Sequence, residues 1–227
     1  MSDESFQQLI VEAMAKAACP ICTVTDAMVF EELCQLQRQA IVDLKTHADV
    51  LARGGYCAEH FWYLDALASP VTNATLLAPL LDQVSEQLAA VAREVSGSAG
   101  LLRQAANQIA ERLGAPRACR VCDRLRLWED AALQALLAII RQSEPREMYV
   151  SSTGLCLPHL ARALSVCADR AVAAALVQAA EGQARRLAAQ LRTYVRKWET
   201  RDRSWGPEDA AERAGIEKLV GGRHRGR

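Results

Sequence analysis

Residues 19–60 read CPICTVTDAMVFEELCQLQRQAIVDLKTHADVLARGGYCAEH, and two features of this stretch decide the architecture. A CxxC pair, Cys19 and Cys22, opens it, and a GxCxxH element, Gly55, Cys57 and His60, closes it. Between them, from Thr23 to Arg53, stands neither Pro nor Gly. That run predicts one unbroken helix of about 30 residues, roughly 45 Å long. Pro20 suits the first turn of such a helix. Cys57 and His60, three apart, share one face of the helix that follows, and Gly55 permits a sharp turn before it.

The same elements return about a hundred residues later. Cys119 and Cys122 repeat the first pair, Cys156 and His159 repeat the second, and Gly154 stands where Gly55 does. A period of this kind reads as an internal repeat. The flanks agree: Phe6, Leu9, Ile10 and Ala13 form a helical stripe before the first CxxC, and Ala106, Ile109, Ala110 and Leu113 form one before the second. Behind each CxxH lies an amphipathic helix, marked by Leu76, Leu77, Leu80, Leu81, Val84, Leu88 and Val91 in one copy. Leu176, Ala180, Leu187, Leu191, Val195 and Trp198 mark it in the other. Ser69-Pro70 and Asn73 punctuate the first copy, and Ser96-Gly97-Ser98 divides the two.

The expected fold is therefore all-α, a pseudo-twofold helical bundle from a tandem duplication. Residues 1–97 form one repeat and residues 98–204 the second, packed together as one domain. Residues 205–227 form a tail, with Pro207 starting a short helix that carries Ile216, Leu219 and Val220, and a basic, disordered end. The Ala/Leu-rich composition, with three Phe and four Tyr in 227 residues, fits a helical protein.

Three thiolates and an imidazole satisfy a tetrahedral zinc ion, and CxxC and CxxH are usual spacings for its ligands. Helix-start amide dipoles favour thiolate at the CxxC. The expected ligands are Cys19, Cys22, Cys57, His60, Cys119, Cys122, Cys156 and His159, for two ions per chain. A 45 Å helix would hold Cys19 and Cys22 far from Cys57 and His60. Crossed pairing is therefore expected: Cys19 and Cys22 with Cys156 and His159, Cys119 and Cys122 with Cys57 and His60. A helix broken midway is the alternative, and Gln142-Ser143-Glu144-Pro145 offers a break in the second copy. An iron–sulfur cluster is the other cofactor to weigh, although the cysteine runs usual in ferredoxins are missing. A redox-active CPIC would want a βαβ setting, and four buried core cysteines are the bland reading.

Elsewhere, Cys34 and Cys167 read as core or half-buried thiols, and His47 as a surface residue. Of Phe61, Trp62 and Tyr63, two are expected buried and one partly exposed. The pairs Glu31-Glu32 and Glu129-Asp130 lack the Glu-x-x-His partners of helical di-iron sites and read as solvated faces.

No stretch approaches the ~20 apolar residues that span a bilayer. The polar opening MSDESFQQLI is no secretory signal, and eight cysteines without one point to the reducing cytoplasm. Residues 1–100 hold 5 Lys/Arg against 13 Asp/Glu, and the remainder 22 against 14, so the two halves attract when packed. Arg185, Arg186, Arg192, Arg196, Lys197, Arg201 and Arg203, with Tyr194, Trp198 and Trp205 among them, are cations and rings of the kind that nucleic-acid binders use.

The doubled motif, with Cys19-Pro20-Ile21-Cys22, Gly55-Tyr56-Cys57-Ala58-Glu59-His60, Cys119-Arg120-Val121-Cys122, Gly154-Leu155-Cys156-Leu157-Pro158-His159 and the ending Trp205…Leu219-Val220-Gly221, resembles a family of bacterial proteins classed as a domain of unknown function. The likeness covers nearly the whole chain. It implies an intracellular helical protein with metal sites and names no activity. The expectation is a cytoplasmic, structural-zinc binding or regulatory adaptor with a protein partner and no evident catalysis. The alternatives are a redox protein, whether iron–sulfur carrier or thiol/metal switch, and a nucleic-acid-binding regulator.

Overall fold

The computed structural model describes residues 3–39, 42–95, 107, 109, 119–201 and 204–222. Among these the chain forms ten α-helices and a 3-10 turn, with no strand. The helices are α1 (Asp3–Met14), α2 (Pro20–Gln39), α3 (Leu44–Ala52), α4 (Ala58–Leu67), α5 (Pro70–Val95), α6 (Arg120–Ile139), α7 (Ser143–Ser151), α8 (Leu157–Val166), α9 (Arg170–Thr200) and α10 (Ala211–Val220). The all-α expectation is met. Residues 96–106, 108 and 110–118 lie outside the described residues. With them lie the Ser96–Ser98 divider and Ala106, Ala110 and Leu113 of the second stripe, while Ile109 is helical and exposed.

Two compact units arise from interleaved segments. One comprises residues 1–28 and 127–225, the other residues 29–126 and 226–227. The division falls inside α2, after Met28, and inside α6, after Arg126. In the first unit, Phe6, Ile10, Ala13 and Met14 of α1 bury against Leu133, Leu136 and Ile140 of α6 and its end, Tyr149 of α7, and Val172 and Leu176 of α9. These positions recur every three or four residues, the spacing that presents one helical face to a core. In the second unit the buried residues include Leu33, Leu36, Val50, Tyr56, Leu64, Leu76 and Leu80. Tyr56 and Phe61 meet edge to face at 5.4 Å.

The unbroken helix expected from Thr23 to Arg53 does not form. α2 stops at Gln39, and α3 begins at Leu44 behind Asp43, which is extended (φ −113°, ψ 104°). The Asp43 carboxylate accepts from the Lys45 amide at 3.0 Å and the Thr46 hydroxyl at 2.8 Å. Such a side chain competes with continuation of the helix and caps a new one. The chain also breaks where Gln142–Pro145 suggested: α6 ends at Ile139, and α7 starts at Ser143. Ser69 and Pro70 do separate α4 from α5, while Asn73 lies inside α5 and bonds Asp65 at 2.9 Å. No helix among the described residues is long and apolar enough to cross a membrane.

Candidate metal centres

Each motif cysteine stands at a helix start. The carbonyls of Cys19, Cys57, Cys119 and Cys156 accept the first helical amides, from Thr23, Phe61, Asp123 and Leu160, at 2.8–3.0 Å. Cys57 and Cys156 cap α4 and α8 with nearly identical backbones, φ −66° with ψ 161° and φ −66° with ψ 160°. The preceding glycines are in the left-handed region: Gly55 at φ +96° and Gly154 at φ +61°. A β-carbon on Gly55 would also approach Phe61 to 2.8 Å, and one on Gly154 would run into the Gln183 amide.

The eight expected ligands gather into two quartets. In the first unit Cys19, Cys22, Cys156 and His159 bring their donor atoms within 4.8 Å of one another, and in the second unit Cys57, His60, Cys119 and Cys122 do the same. The pairing is crossed, as expected, although the long helix that motivated it is broken. Each quartet receives the positive ends of two helices, α2 and α8 in one, α4 and α6 in the other, which favours anionic sulfur.

The spacings suit a single ion. At the first centre, Cys22 and Cys156 sulfurs are 3.9 Å apart, and His159 Nδ1 lies 3.5, 3.4 and 3.2 Å from the sulfurs of Cys19, Cys22 and Cys156. At the second, Cys57 and Cys122 sulfurs are 3.6 Å apart, and His60 Nδ1 lies 3.0, 3.5 and 3.4 Å from Cys57, Cys119 and Cys122. For bonds of ~2.3 Å to sulfur and ~2.0 Å to nitrogen, a tetrahedron has edges of roughly 3.8 Å between sulfurs and 3.5 Å from sulfur to nitrogen. A cluster of several irons and sulfides standing between the ligands would hold the sulfurs farther apart.

Protonation follows the same geometry. Burial, with Cys156 and Cys22 beside it, pushes the Cys19 thiol well above its usual range. At Cys119 burial pushes the same way, but hydrogen bonds from His60 and the backbone prevail and bring it to about 6. Burial and the neighbouring thiols push Cys57 and Cys122 up as well, so holding all three sulfurs of a quartet anionic at these separations would take a cation among them.

What surrounds the centres was less visible beforehand. Glu129 and Glu32, expected on solvated faces, are buried, whereas Glu31 and Asp130 are exposed. Glu129 Oε1 is 3.1 Å from His159 Nε2, and its other oxygen pairs with Arg162, which also bonds Asp130 at 2.6 Å. An ion bound at Nδ1 would put the proton on Nε2, which then donates to Glu129. An outer contact of this kind orients an imidazole toward an ion. Glu32 pairs with Arg120 at 3.3 Å and Arg124 at 2.5 Å, while Arg53 links Asp49 at 2.9 Å to Asp123 at 3.1 Å. That network holds the first turn of α6, and so Cys119 and Cys122, against the end of α2 and α3.

The C-terminal helix also serves the first centre. Lys218 is buried, and its ammonium donates to the carbonyls of Leu155 at 2.6 Å and Thr153 at 3.2 Å and to Gln183 Oε1 at 2.7 Å. The Gly222 amide donates to the Cys22 sulfur at 3.4 Å. Ile216, Leu219 and Val220 are exposed, as are Glu212 and Arg213, while Ala211 and Lys218 are buried, so the lysine, not the apolar stripe, marks the inner face of α10. Nothing in the sequence pattern singles out Lys218, because a buried cation is recognised only by its acceptors.

Cys34 and Cys167 are half-buried, as expected, and Cys167 bonds the Asp169 carbonyl at 3.3 Å. Of the aromatic run, Trp62 is 74% exposed while Phe61 and Tyr63 are partly buried. On α9, Arg185, Arg192 and Arg196 fall on one side at 100° per residue and Tyr194 and Trp198 on the other, with Arg186 and Lys197 between them. Arg203 and residues 223–227 lie outside the described residues.

Fold and centres together define an all-helical protein with two Cys3His groups, each shaped to hold one metal ion. The chain belongs to a family of unknown function (DUF6062), whose model matches residues 1–225. No curated protein matches it, and no solved structure does.

Proposed function

We propose that this is a structural-zinc protein that presents its helical surface to a protein partner as a binding or regulatory adaptor, within the cytoplasm. The observation that carries the reading is the gathering of eight separate side chains into two Cys3His quartets with tetrahedral edge lengths. Zinc suits that donor set, and four protein ligands complete its shell, leaving no position for water or substrate to be activated. Exposed aromatic rings are the commonest anchors of protein interfaces, and each unit offers its own: Trp62, exposed by 74%, in one, and Trp198 and Trp205, exposed by 79% and 91%, in the other. A protein partner is favoured over nucleic acid because Arg185, Arg192 and Arg196 of α9 face away from Tyr194 and Trp198, which leaves only Arg186 and Lys197 of this helix nearer to the rings.

Metal analysis with an absorption spectrum, on protein purified without oxygen, tests the reading. The expected result is a colourless protein with about two zinc ions per chain. A brown protein with iron and sulfide would overturn it in favour of an electron carrier. Loss of partner capture when Trp62 or Trp198 is replaced by Ala, with metal content intact, would support the adaptor role.

A further inference from the structure

The two centres share a donor set but not an environment, and exposure separates them most. The four candidate ligands of the first are buried, whereas at the second His60 and Cys119 are buried and Cys57 and Cys122 are half-buried. Glu129 braces His159, and Arg162 braces Glu129. At the offsets that align the motifs, the second centre has Val29 and Tyr63 in those positions. Val29 is a buried apolar residue, and among the described residues no protein group accepts a hydrogen bond from His60 Nε2. Outer carboxylates of this kind are worth roughly 10–100-fold in metal affinity.

We infer that the second centre is a peroxide-responsive thiol switch, with Cys57 and Cys122 as its reacting pair, and that the first is a permanent clip. The inference rests on the metal-binding reading above. The pair combines access with proximity, the two sulfurs being 3.6 Å apart, and accessible thiolates are the ones that peroxides reach. One thiolate attacks hydrogen peroxide, breaking the O–O bond to leave a sulfenic acid and hydroxide. The other thiolate attacks that sulfur and expels its oxygen as a second hydroxide, and two protons complete two waters. Two electrons pass from the sulfurs to the peroxide, and the disulfide has lost two ligands of the ion, which leaves. The bond joins the start of α4 to the start of α6, 65 residues apart in the chain.

The test treats metal-loaded full-length protein with increasing hydrogen peroxide. Released zinc is followed with a chromogenic chelator, and disulfides are mapped by alkylation and mass spectrometry. One ion per chain should leave at least tenfold faster than the other, together with a Cys57–Cys122 disulfide, and reductant with added zinc should reverse both. Glu129→Gln should narrow the interval by accelerating the second release alone. Simultaneous loss of both ions, first oxidation at Cys22 and Cys156, or release of the first ion without a Cys57–Cys122 bond would each overturn the inference. Those outcomes leave the zinc reading standing, whereas a protein purified with no metal would remove that reading itself.

Discussion

The two Cys3His centres begin from one motif and end in different surroundings. Both place a histidine Nδ1 within 3.0–3.5 Å of three sulfurs, and both draw two ligands from each of two helix starts. Around the first, the structure adds a carboxylate, an arginine, a buried lysine and a backbone amide aimed at Cys22. Around the second, it adds an arginine–carboxylate network that positions a helix and leaves the imidazole alone. A ligand set thus determines whether an ion can bind. Its neighbours set how tightly and how permanently it stays, because they decide burial, imidazole orientation and thiolate stabilisation.

The largest expected effect separates the centres by loss of a ligand. Cys156→Ser should abolish one zinc and destabilise the first unit by on the order of 5 kcal/mol or more, since metal binding and folding are coupled at buried sites. Cys57→Ser should cost less, because a half-buried position lets water take the vacated place. Zinc per chain, with hydrogen exchange resolved by segment, measures both. Equal losses from the two variants would erase the distinction.

Next in size is the outer carboxylate. Glu129→Gln keeps volume but weakens the acceptor for His159 Nε2 and leaves Arg162 without its charge partner at that position. Competition with a zinc chelator should show roughly 10–100-fold weaker retention of one ion, and no change in the other. If both ions loosen equally, Glu129 acts on the fold and not on its own centre.

How much of this was legible in the sequence follows from what repeats and what does not. The candidate ligands were visible because cysteine and histidine at fixed spacing recur, and their crossed grouping into two quartets was reached. Its basis was a long helix from Thr23 to Arg53, which Asp43 interrupts. An Asp followed by Lys45 and Thr46 is a capping signal, outweighed here by the absence of Pro and Gly over a long run. Glu129 and Glu32 were misplaced on solvated faces for a related reason. A carboxylate is assigned to the surface unless its partner is known, and their partners, Arg162, Arg120 and Arg124, lie 33, 88 and 92 residues away. Composition and helical periodicity carry the fold class, which depends on local pattern. They carry none of the contacts between distant segments that make one centre unlike the other.

Lys218 offers a third, smaller separation. Lys218→Met would leave the carbonyls of Leu155 and Thr153 and the amide oxygen of Gln183 without this donor, at a cost of about 1–3 kcal/mol for buried acceptors. The loss should appear as faster hydrogen exchange in residues 152–159 and not in residues 55–60. Unchanged protection at 152–159 would mean that α10 rests on the first unit without holding its cysteine loop.

The finest comparison uses two buried tyrosines beside the third cysteine of each motif. Tyr149 accepts from the Leu155 amide at 3.3 Å, next to Cys156, so Tyr149→Phe strands a buried donor and should cost about 1 kcal/mol. Tyr56 directly precedes Cys57, and its buried hydroxyl meets no protein partner among the described residues. Tyr56→Phe should therefore be neutral or slightly stabilising, because it removes a desolvated polar atom and keeps the ring against Phe61. Denaturant midpoints of the two zinc-loaded variants would reveal the difference. Equal and substantial losses would show that the second centre has a hydrogen-bonded brace of its own, and the contrast in retention between the two ions would then have to come from exposure alone.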